Sequence, residues 1–300
     1  MKNQLNYLLY GFNYLVNTRI LGRDIPFIGG LVLNEKCNLK CAHCKVSNRD
    51  IPDLSYKDAE NGLRAFYDKG IRSVFIEGGE PFLWRDGTYR LDDVISLARK
   101  IGFRVVSIYT NGTFPIKSLA DTVFVSLDGL RETNNILRND SYDRVIDNVS
   151  SSIHKNIVIN FTINKKNINE IEPFCDEMRK IRQINGIFFY FHTPYYGIDD
   201  LLVSFKEKRG AINRILELKR KGHRIFNSIA CLKSVYNDTW KRPSKLCYVY
   251  ADNKLYQCCR AIGNDGVCAN CGYLGYPEII HILALRPSAI LESLHYLPRN

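Results

Sequence analysis

The fold and chemistry of this chain are decided by the stretch Ile28-Gly29-Gly30-Leu31-Val32-Leu33, followed by Asn34-Glu35-Lys36-Cys37-Asn38-Leu39-Lys40-Cys41-Ala42-His43-Cys44. The apolar run predicts a buried strand, and the cysteines predict a metal site at its carboxyl end. Thiolates at such short spacings select iron-sulfur clusters or zinc. Three thiolates leave one iron of a four-iron cluster without a protein ligand, and an open position of that kind can bind a substrate or cofactor.

Length and composition favour one large domain with an appendage. The chain has 300 residues, of which 45% are hydrophobic, and ten cysteines that fall mostly in two clusters. It contains no run of eighteen apolar residues, and its start lacks the features of a secretory signal. We therefore expect a cytoplasmic protein whose cysteines bind metal or act in catalysis, because disulfide frameworks are rare in that compartment.

The charge balance indicates what kind of partner the chain meets. A formal net charge of +11 favours anionic partners, such as acidic peptides or phosphorylated head groups. No dense Lys/Arg tract or recognisable nucleic-acid module accompanies that charge. We expect no nucleic-acid binding.

Residues 28–192 alternate short apolar runs with amphipathic segments, as repeated βα units do. The alternation predicts six parallel strands in a partial (β/α)6 barrel of the α/β class. Helix signals agree: a capping residue and a stop glycine bound the first helix, and a glycine ends the second. The predicted strands are Ile28 to Leu33, Ser73 to Glu77, Arg104 to Thr110, Thr122 to Leu127, Ile157 to Ile163 and Ile187 to Phe191, and the helix signals are Ser55 with Asp58, Gly70 and Gly102.

Polar and glycine-rich residues follow the predicted strands at the point where each strand ends. Functional groups of such barrels gather at the carboxyl ends of the strands. We therefore expect one mouth to hold the three cysteines together with Gly78-Gly79-Glu80-Pro81, Asn111-Gly112 and Asp128-Gly129. His192 and Tyr195-Tyr196 follow the last strand, where they are expected to line a substrate pocket or pack in an aromatic core.

After the core, a helix is predicted from about Ser204 to Lys221, and then a second cysteine-rich segment, Cys247 to Cys271. Two alternating runs around Asp252-Asn253 predict a tight β-hairpin. We divide the chain into an N-terminal amphipathic segment, a core, a small cysteine-rich extension and a C-terminal helical segment, at residues 1–25, 26–200, 201–275 and 276–300.

These motifs resemble the radical S-adenosylmethionine (radical SAM) enzymes. The sequences CxxxCxHC, GGEP, TNG and SLDG occur in family order and at the expected strand ends, covering residues 28–192. Residues 222–271 resemble the auxiliary-cluster extension of the SPASM or Twitch type. The resemblance implies a 5′-deoxyadenosyl radical that removes hydrogen from an unactivated C–H bond, with ferredoxin or flavodoxin as electron donor.

The resemblance also implies roles for individual residues. Cys37, Cys41 and Cys44 are expected to hold a 4Fe-4S cluster whose open iron is chelated by S-adenosylmethionine. His43 is expected near the adenine. The turn from Gly78 to Pro81 is expected to face the cofactor ammonium, and Ser126 with Arg138 its carboxylate, because a guanidinium matches two carboxylate oxygens. Further contacts with the cofactor are expected from Glu80, Asn111 and Asp128.

For the second cysteine set, the resemblance implies a second, auxiliary 4Fe-4S cluster held by Cys247, Cys258, Cys268 and Cys271. Asn253 stands where the family usually has glycine. Four thiolates satisfy zinc equally well, so zinc stays open as the occupant. Cys259 could replace Cys258 as a ligand, although strand alternation predicts that it points to the opposite face.

Arg138, the substrate and the two ends of the chain each allow more than one interpretation. Arg138 could pair with Asp128 or Asp140 instead of a cofactor. The substrate is expected to be an anionic peptide, or else a lipid head group or small metabolite, and a rival class of protein is a non-catalytic iron-sulfur electron carrier. The terminal segments Leu5 to Leu15 and Ile279 to Leu294 either cap the barrel or lie on a membrane surface.

Overall fold

The alternating strands and helices form one curved eight-stranded sheet, with the strand order β6-β5-β4-β3-β2-β1-β7-β8. The computed structural model describes residues 10–242, 244–259 and 264–294. The strands are β1 (Ile28–Val32), β2 (Ser73–Glu77), β3 (Val105–Thr110), β4 (Thr122–Ser126), β5 (Ile157–Ile163), β6 (Ile184–Phe191), β7 (Cys247–Ala251) and β8 (Lys254–Gln257).

Strands β1 to β6 are all parallel, as the six predicted βα units require. The helices of the core are α1 (Tyr56–Asp68), α2 (Leu91–Ile101), α3 (Arg131–Arg138), α4 (Tyr142–Ser150) and α5 (Ile171–Met178). The extension adds α6 (Phe205–Arg220), α7 (Ile229–Tyr236), α8 (Asp265–Ala269), α9 (Gly275–Leu283) and α10 (Pro287–Ser293).

The predicted helix boundaries are confirmed by their caps. Ser55 accepts a hydrogen bond from Asp58 N and the Asp58 carboxylate accepts one from Ser55 N, which completes a capping box at the start of α1. Ser204 and Glu207 do the same for α6. Gly102 ends α2 with a φ of 118°, a left-handed conformation that favours glycine.

Strand β6 begins earlier than predicted, at Ile184 instead of Ile187. Asn185-Gly186 is typical of a turn, but here Gly186 lies in the strand. The Phe226 ring packs against it so closely that a Cβ at this position would approach the ring to 2.4 Å, which explains the glycine. Asn185 donates to the carbonyl of Lys155. Packing against the extension therefore overrides the local turn signal.

The predicted hairpin forms at Asp252 and Asn253, whose φ angles are 50° and 54°. Its place in the sheet was not predicted. Strand β7 pairs in parallel with β1, from Ile28 opposite Cys247 to Leu31 opposite Tyr250. The extension thus continues the barrel sheet, and the second cysteine set lies beside the strand that leads to the first.

The C-terminal helices pack on the barrel through α7. Ser228 N donates to the buried carboxylate of Glu278 in α9, and Ala230 N donates to Ser288 in α10. Capping, one of the two expected fates of this segment, is therefore observed. Residues 1–9 of the predicted N-terminal segment lie outside the described residues; residues 10–15 are helical and continue as the π-helix Val16–Ile20. No described helix is long and apolar enough to span a membrane.

Candidate active site

The carboxyl ends of the six parallel strands open into one cavity of about 310 Å³. All three cysteines of the loop after β1 line it. Residues from the ends of the other five strands share its wall: Gly78 and Gly79, Thr110 and Asn111, Ser126, Asn160 and Thr162, Tyr190 and His192. The single mouth predicted from the sequence is therefore present.

The surroundings of the cysteine sulfurs fit thiolates bound to a cluster. Cys37 Sγ accepts from Leu39 N at 3.4 Å and from Asn111 Nδ2 at 3.6 Å. Arg138 Nη1 lies 3.9 Å from Cys41 Sγ. Burial raises the pKa of the Cys41 thiol to about 11, so ligation has to displace its proton. Donors that face the sulfurs stabilise the negative charge that remains after ligation.

The three thiols do not converge on a single point. Among the residues that the structure describes, no three metal-ligating side chains are close enough together to hold one metal ion. A cluster is bound through irons at separate corners, so its thiolates need not converge.

The glycine turn after β2 is fastened to the cysteine loop. Gly79 N donates to Asn34 O and Glu80 N to Lys36 O, both at 2.8 Å. A Cβ on Gly79 would lie 2.3 Å from Lys36 O, so only glycine permits this approach. Contact of this turn with a cofactor stays a prediction, and Gly78 and Gly79 line the cavity as it requires.

Glu80 and Pro81 do not line the cavity, and their expected contact with a cofactor stays a prediction. The buried Glu80 carboxylate accepts from Thr110 Oγ1 at 2.8 Å and from Asn111 N at 2.7 Å. Burial raises its pKa to about 7, although these hydrogen bonds oppose the shift. Glu80 thus joins the ends of β2 and β3 and positions Asn111, and Pro81 begins a short 3₁₀-helix.

Arg138 pairs with Asp128, one of the two partners that the sequence left open. Arg138 Nε lies 2.5 Å from Asp128 Oδ2, and Asp128 also accepts from Thr162 N at 2.6 Å. Asp128 is fully buried and does not line the cavity; its carboxylate holds Arg138, and its own contact with a cofactor stays a prediction. Arg138 nevertheless lines the cavity, because Asp128 binds only the Nε of its guanidinium.

His43 is neutral in this environment. Its Nε2 lies 3.4 Å from Arg138 Nη2 and 3.3 Å from Asp128 Oδ2. Burial lowers the pKa of His43 to about 4, and the nearby Asp128 carboxylate only partly offsets this effect. The contact with Asp128 is therefore not an ion pair. His43 lines the cavity, as its predicted place near an adenine requires.

Two residues of β5 that line the cavity were not predicted from the sequence. Asn160 lies opposite Ser126 in the strand register, and Thr162 follows two residues later on the same face. Asn160 Oδ1 is buried without a hydrogen-bond partner, so it is an acceptor for a ligand group. The available signal was the two polar residues at alternate positions of an otherwise apolar strand.

The wall after β6 is rich in aromatic side chains. His192 lines the cavity, and both oxygens of Asp199 hold its Nε2, at 3.0 and 2.8 Å. Tyr195 lines the cavity as well, whereas Tyr196 is 69% exposed. His192 and Tyr195 therefore lie in the cavity wall, whereas the expectation for Tyr196 is wrong, because it neither lines the cavity nor packs in the core.

The second cysteine set surrounds a smaller cavity next to the first. Its lining includes Cys258, Cys259, Cys268 and Cys271. Strand alternation does not apply to Cys259, in contrast to the expectation, because β8 ends at Gln257 and Cys258 has a φ of 69°. Cys259 consequently lines both cavities.

Cys247 is fully buried at the start of β7 and lines neither cavity. Ser244 N donates to Cys258 Sγ at 3.3 Å, which would stabilise a thiolate there. The ligand set Cys247, Cys258, Cys268 and Cys271 stays a prediction, with Cys259 as a further candidate. Cys175 and Cys231 are buried, as small apolar residues are.

Comparisons with known proteins agree with a cysteine-loop barrel. The family model of the radical SAM superfamily matches residues 31–178. Fe-coproporphyrin III synthase of Methanosarcina barkeri is 33% identical over 210 residues, 64% of this chain and 51% of that protein. A probable GTP 3′,8-cyclase of Saccharolobus islandicus is 33% identical over 161 residues, 49% of this chain and 51% of that protein. The chain thus spans about half the length of the curated relatives it matches.

Solved structures share the fold. Streptococcus suis SuiB bound to S-adenosylmethionine has a TM-score of 0.65 at 19% identity, covering 80% of this chain and 62% of that chain. The anSMEcpe protein with bound AdoMet and Cp18Cys peptide has a TM-score of 0.59 at 15% identity, and the match covers 92% of this chain and 85% of that chain. The fold and the site together define an α/β barrel with a cysteine loop at its mouth, whose spacing is typical of an iron-sulfur cluster site. The chain belongs to the radical SAM superfamily.

Proposed function

We propose that this protein is a radical SAM enzyme that cleaves S-adenosylmethionine reductively and removes hydrogen from an unactivated C–H bond. The observation that carries the proposal is the single cavity that contains the three cysteines, the two turn glycines, Ser126 and Arg138. The cysteines, the glycines and Ser126 come from three separate strand ends, and Arg138 comes from the end of α3. The superfamily uses a 4Fe-4S cluster and S-adenosylmethionine, and the donors around the cysteine sulfurs fit the cluster.

Each group of residues has a defined task in this proposal. Cys37, Cys41 and Cys44 hold the cluster, which supplies the electron for cleavage of the sulfonium when both groups are bound. Arg138 is fixed through Nε by Asp128. Its Nη1 and Nη2 contact Cys41 Sγ and His43 Nε2, and each nitrogen carries a second N–H for the cofactor carboxylate. Ser126 and the unpartnered Asn160 Oδ1 hold polar groups of the cofactor.

The remaining wall excludes water from a reactive radical. It consists largely of aromatic and aliphatic side chains, among them Phe75, Tyr109, Val249 and Ile279. A wall of this kind limits the reactions of a radical with water.

The second cysteine set is proposed to hold an auxiliary 4Fe-4S cluster that transfers electrons. The proposal is supported by Cys258, Cys268 and Cys271, which line one small cavity together with Cys259, and by the Ser244 N–H that donates to Cys258 Sγ. Anaerobic reconstitution is expected to give about eight irons per chain if both sites hold cubanes. A value of about four irons with one bound zinc would contradict the auxiliary cluster.

A peptide is proposed as the substrate. Structures of similar fold contain peptides in their own sites, namely SuiB bound to precursor peptide SuiA and anSMEcpe with its Cp18Cys peptide. A small metabolite is the second candidate, because the relatives with 33% identity are named for coproporphyrin and GTP. Ferredoxin or flavodoxin is the proposed electron donor. Contact with an anionic membrane surface stays a prediction, which liposome flotation tests.

Release of 5′-deoxyadenosine under strong reductant tests the proposal. We expect the wild-type protein to release it and Cys41→Ala to lose this release, because the cluster lacks one ligand. Cys175→Ala is the matched control, since Cys175 is buried away from both cavities. Equal release from wild type and Cys41→Ala would rule out the cluster assignment. A non-catalytic electron carrier would bind no S-adenosylmethionine at all.

A further inference from the structure

Five tyrosines line the active cavity, and two of them meet inside the barrel. Tyr109 comes from β3 and Tyr190 from β6, three strands away in the sheet. Their hydroxyl oxygens are 3.0 Å apart. The other three are Tyr195, Tyr273 and Tyr276. A pair of hydroxyls therefore closes the interior of the barrel, where aliphatic side chains would suffice for packing.

The phenols continue from this pair to the second cysteine set. The ring centroids of Tyr190 and Tyr273 are 6.0 Å apart, and those of Tyr273 and Tyr276 are 5.9 Å apart. Tyr276 Oη donates to the carbonyl of Cys258 at 3.2 Å. Tyr273 and Tyr276 line the second cavity as well as the first. We call the four residues Tyr109, Tyr190, Tyr273 and Tyr276 the phenol relay.

Hydrogen counting shows what the pair has to offer. Two hydroxyls joined by one hydrogen bond use one of their two hydrogens for that bond, and the other remains for a further contact. Burial raises the pKa of both Tyr109 and Tyr190, so both phenols keep their hydrogens at neutral pH. The cavity wall thus presents a phenolic hydrogen at a fixed position, continuous with a path to the second cysteines.

We propose that the phenol relay gives a hydrogen atom to a carbon-centred radical in the cavity and recovers an electron through the second cysteine set. This inference rests on the proposed function, which supplies the radical. An O–H bond of the Tyr109–Tyr190 pair breaks homolytically and a C–H bond forms, so the carbon radical is reduced and the phenol is oxidised to a neutral phenoxyl radical.

The geometry then moves the radical away from the cavity. Within the pair, the second phenol passes its hydrogen atom along the 3.0 Å contact, which transfers the radical from one ring to the other. An electron from the one-electron reductant of the reaction returns through Tyr273 and Tyr276. A proton from solvent completes the phenol, so atoms and electrons balance.

The experiment needs no substrate. Protein reconstituted anaerobically with iron and sulfide is mixed with S-adenosylmethionine and dithionite in D₂O. Phenolic hydrogens exchange with solvent, so the relay places deuterium in the released 5′-deoxyadenosine, which mass spectrometry detects. Freeze-quenched samples are expected to show the electron paramagnetic resonance (EPR) signal of a tyrosyl radical. The double variant Tyr109→Phe/Tyr190→Phe is expected to lose both the label and the signal while keeping the wild-type iron content.

Two further variants define the controls. Tyr89→Phe changes a tyrosine outside the cavity, stacked on Tyr56, and is expected to keep label and signal. Cys259→Ala removes a thiol that also lines the cavity. Loss of the label in Cys259→Ala at unchanged iron content, with the label retained in Tyr109→Phe/Tyr190→Phe, would assign the donor to that thiol and overturn the relay.

The remaining outcomes separate this inference from the proposed function. If wild type releases 5′-deoxyadenosine and the double phenylalanine variant retains full label and signal, the relay is wrong and the proposed function stands. If wild type releases no 5′-deoxyadenosine, the proposed function fails and the relay with it.

Discussion

Glu278 provides a quantitative test of how the C-terminal helices are held on the barrel. Its side chain lies in α9 and is only 5% exposed as a residue. The carboxylate accepts a hydrogen bond from Ser228 N, at the start of α7. Burial raises the pKa of Glu278 to about 7, although hydrogen bonds from Ser228 and Cys231 lower it in part.

The pKa fixes both the sign and the size of the expected effect. The folded state binds this proton more tightly than the unfolded state, in which the pKa of a glutamate is about 4.3. The stabilisation by the protonated form is therefore complete below about pH 4 and is lost as the pH rises through about 7. A pKa displaced from 4.5 to about 7 corresponds to roughly 3 kcal/mol between the two protonation states.

Glu278→Gln keeps the shape and the acceptor for Ser228 N but cannot ionise. We expect its free energy of unfolding to match wild type near pH 4 and to exceed it by roughly 3 kcal/mol near pH 8. Anaerobic urea unfolding, followed by the fluorescence of the buried Trp84 and Trp240, measures the difference. Glu132→Gln, at an exposed position of α3, is the matched control. Equal pH dependence in wild type and Glu278→Gln would show that this carboxylate does not titrate between the folded and unfolded states as described.

Two other substitutions test the site itself. Gly79→Ala places a Cβ against Lys36 O, so we expect the reconstituted variant to retain less iron per chain than wild type. Gly87→Ala is the control: it has open space around the added Cβ but a strained φ of 54°, so it reports the effect of backbone strain alone. Asp128→Asn leaves the buried Arg138 without its charged partner, and we expect a loss of about 3 kcal/mol or more in the free energy of unfolding. An unchanged urea midpoint in that variant would show that the ion pair does not stabilise the fold.

The core of the fold follows from sequence pattern alone because parallel strands are buried on both faces. Ser73–Glu77 and Ile157–Ile163 have the predicted bounds, since apolar runs of that kind have few other places in a covered sheet. The position of the hairpin beside β1 could not be predicted. Strand pairing between segments more than two hundred residues apart depends on the assembled barrel and not on local periodicity.

The sequence correctly predicted which residues line the cavity where the motif residues lie directly at its wall, as Cys41 and Gly79 do. The prediction was less accurate where a residue acts through a neighbour. Glu80 and Asp128 stand in motifs at strand ends, yet their carboxylates hold Asn111 and Arg138. Sequence position indicates that a residue lies near the mouth, but which way its side chain turns depends on hydrogen bonds from other strands.

The proposed chemistry depends on an open iron at the cysteine loop that binds S-adenosylmethionine. Its binding is detected by the low-temperature EPR spectrum of the anaerobically reconstituted, reduced protein before and after S-adenosylmethionine is added. We expect a changed spectrum for wild type. We expect no such change for Cys41→Ala, because the loop of this variant keeps only two thiolates. Identical wild-type spectra with and without S-adenosylmethionine would mean that no open iron binds it, and the proposed function would be wrong.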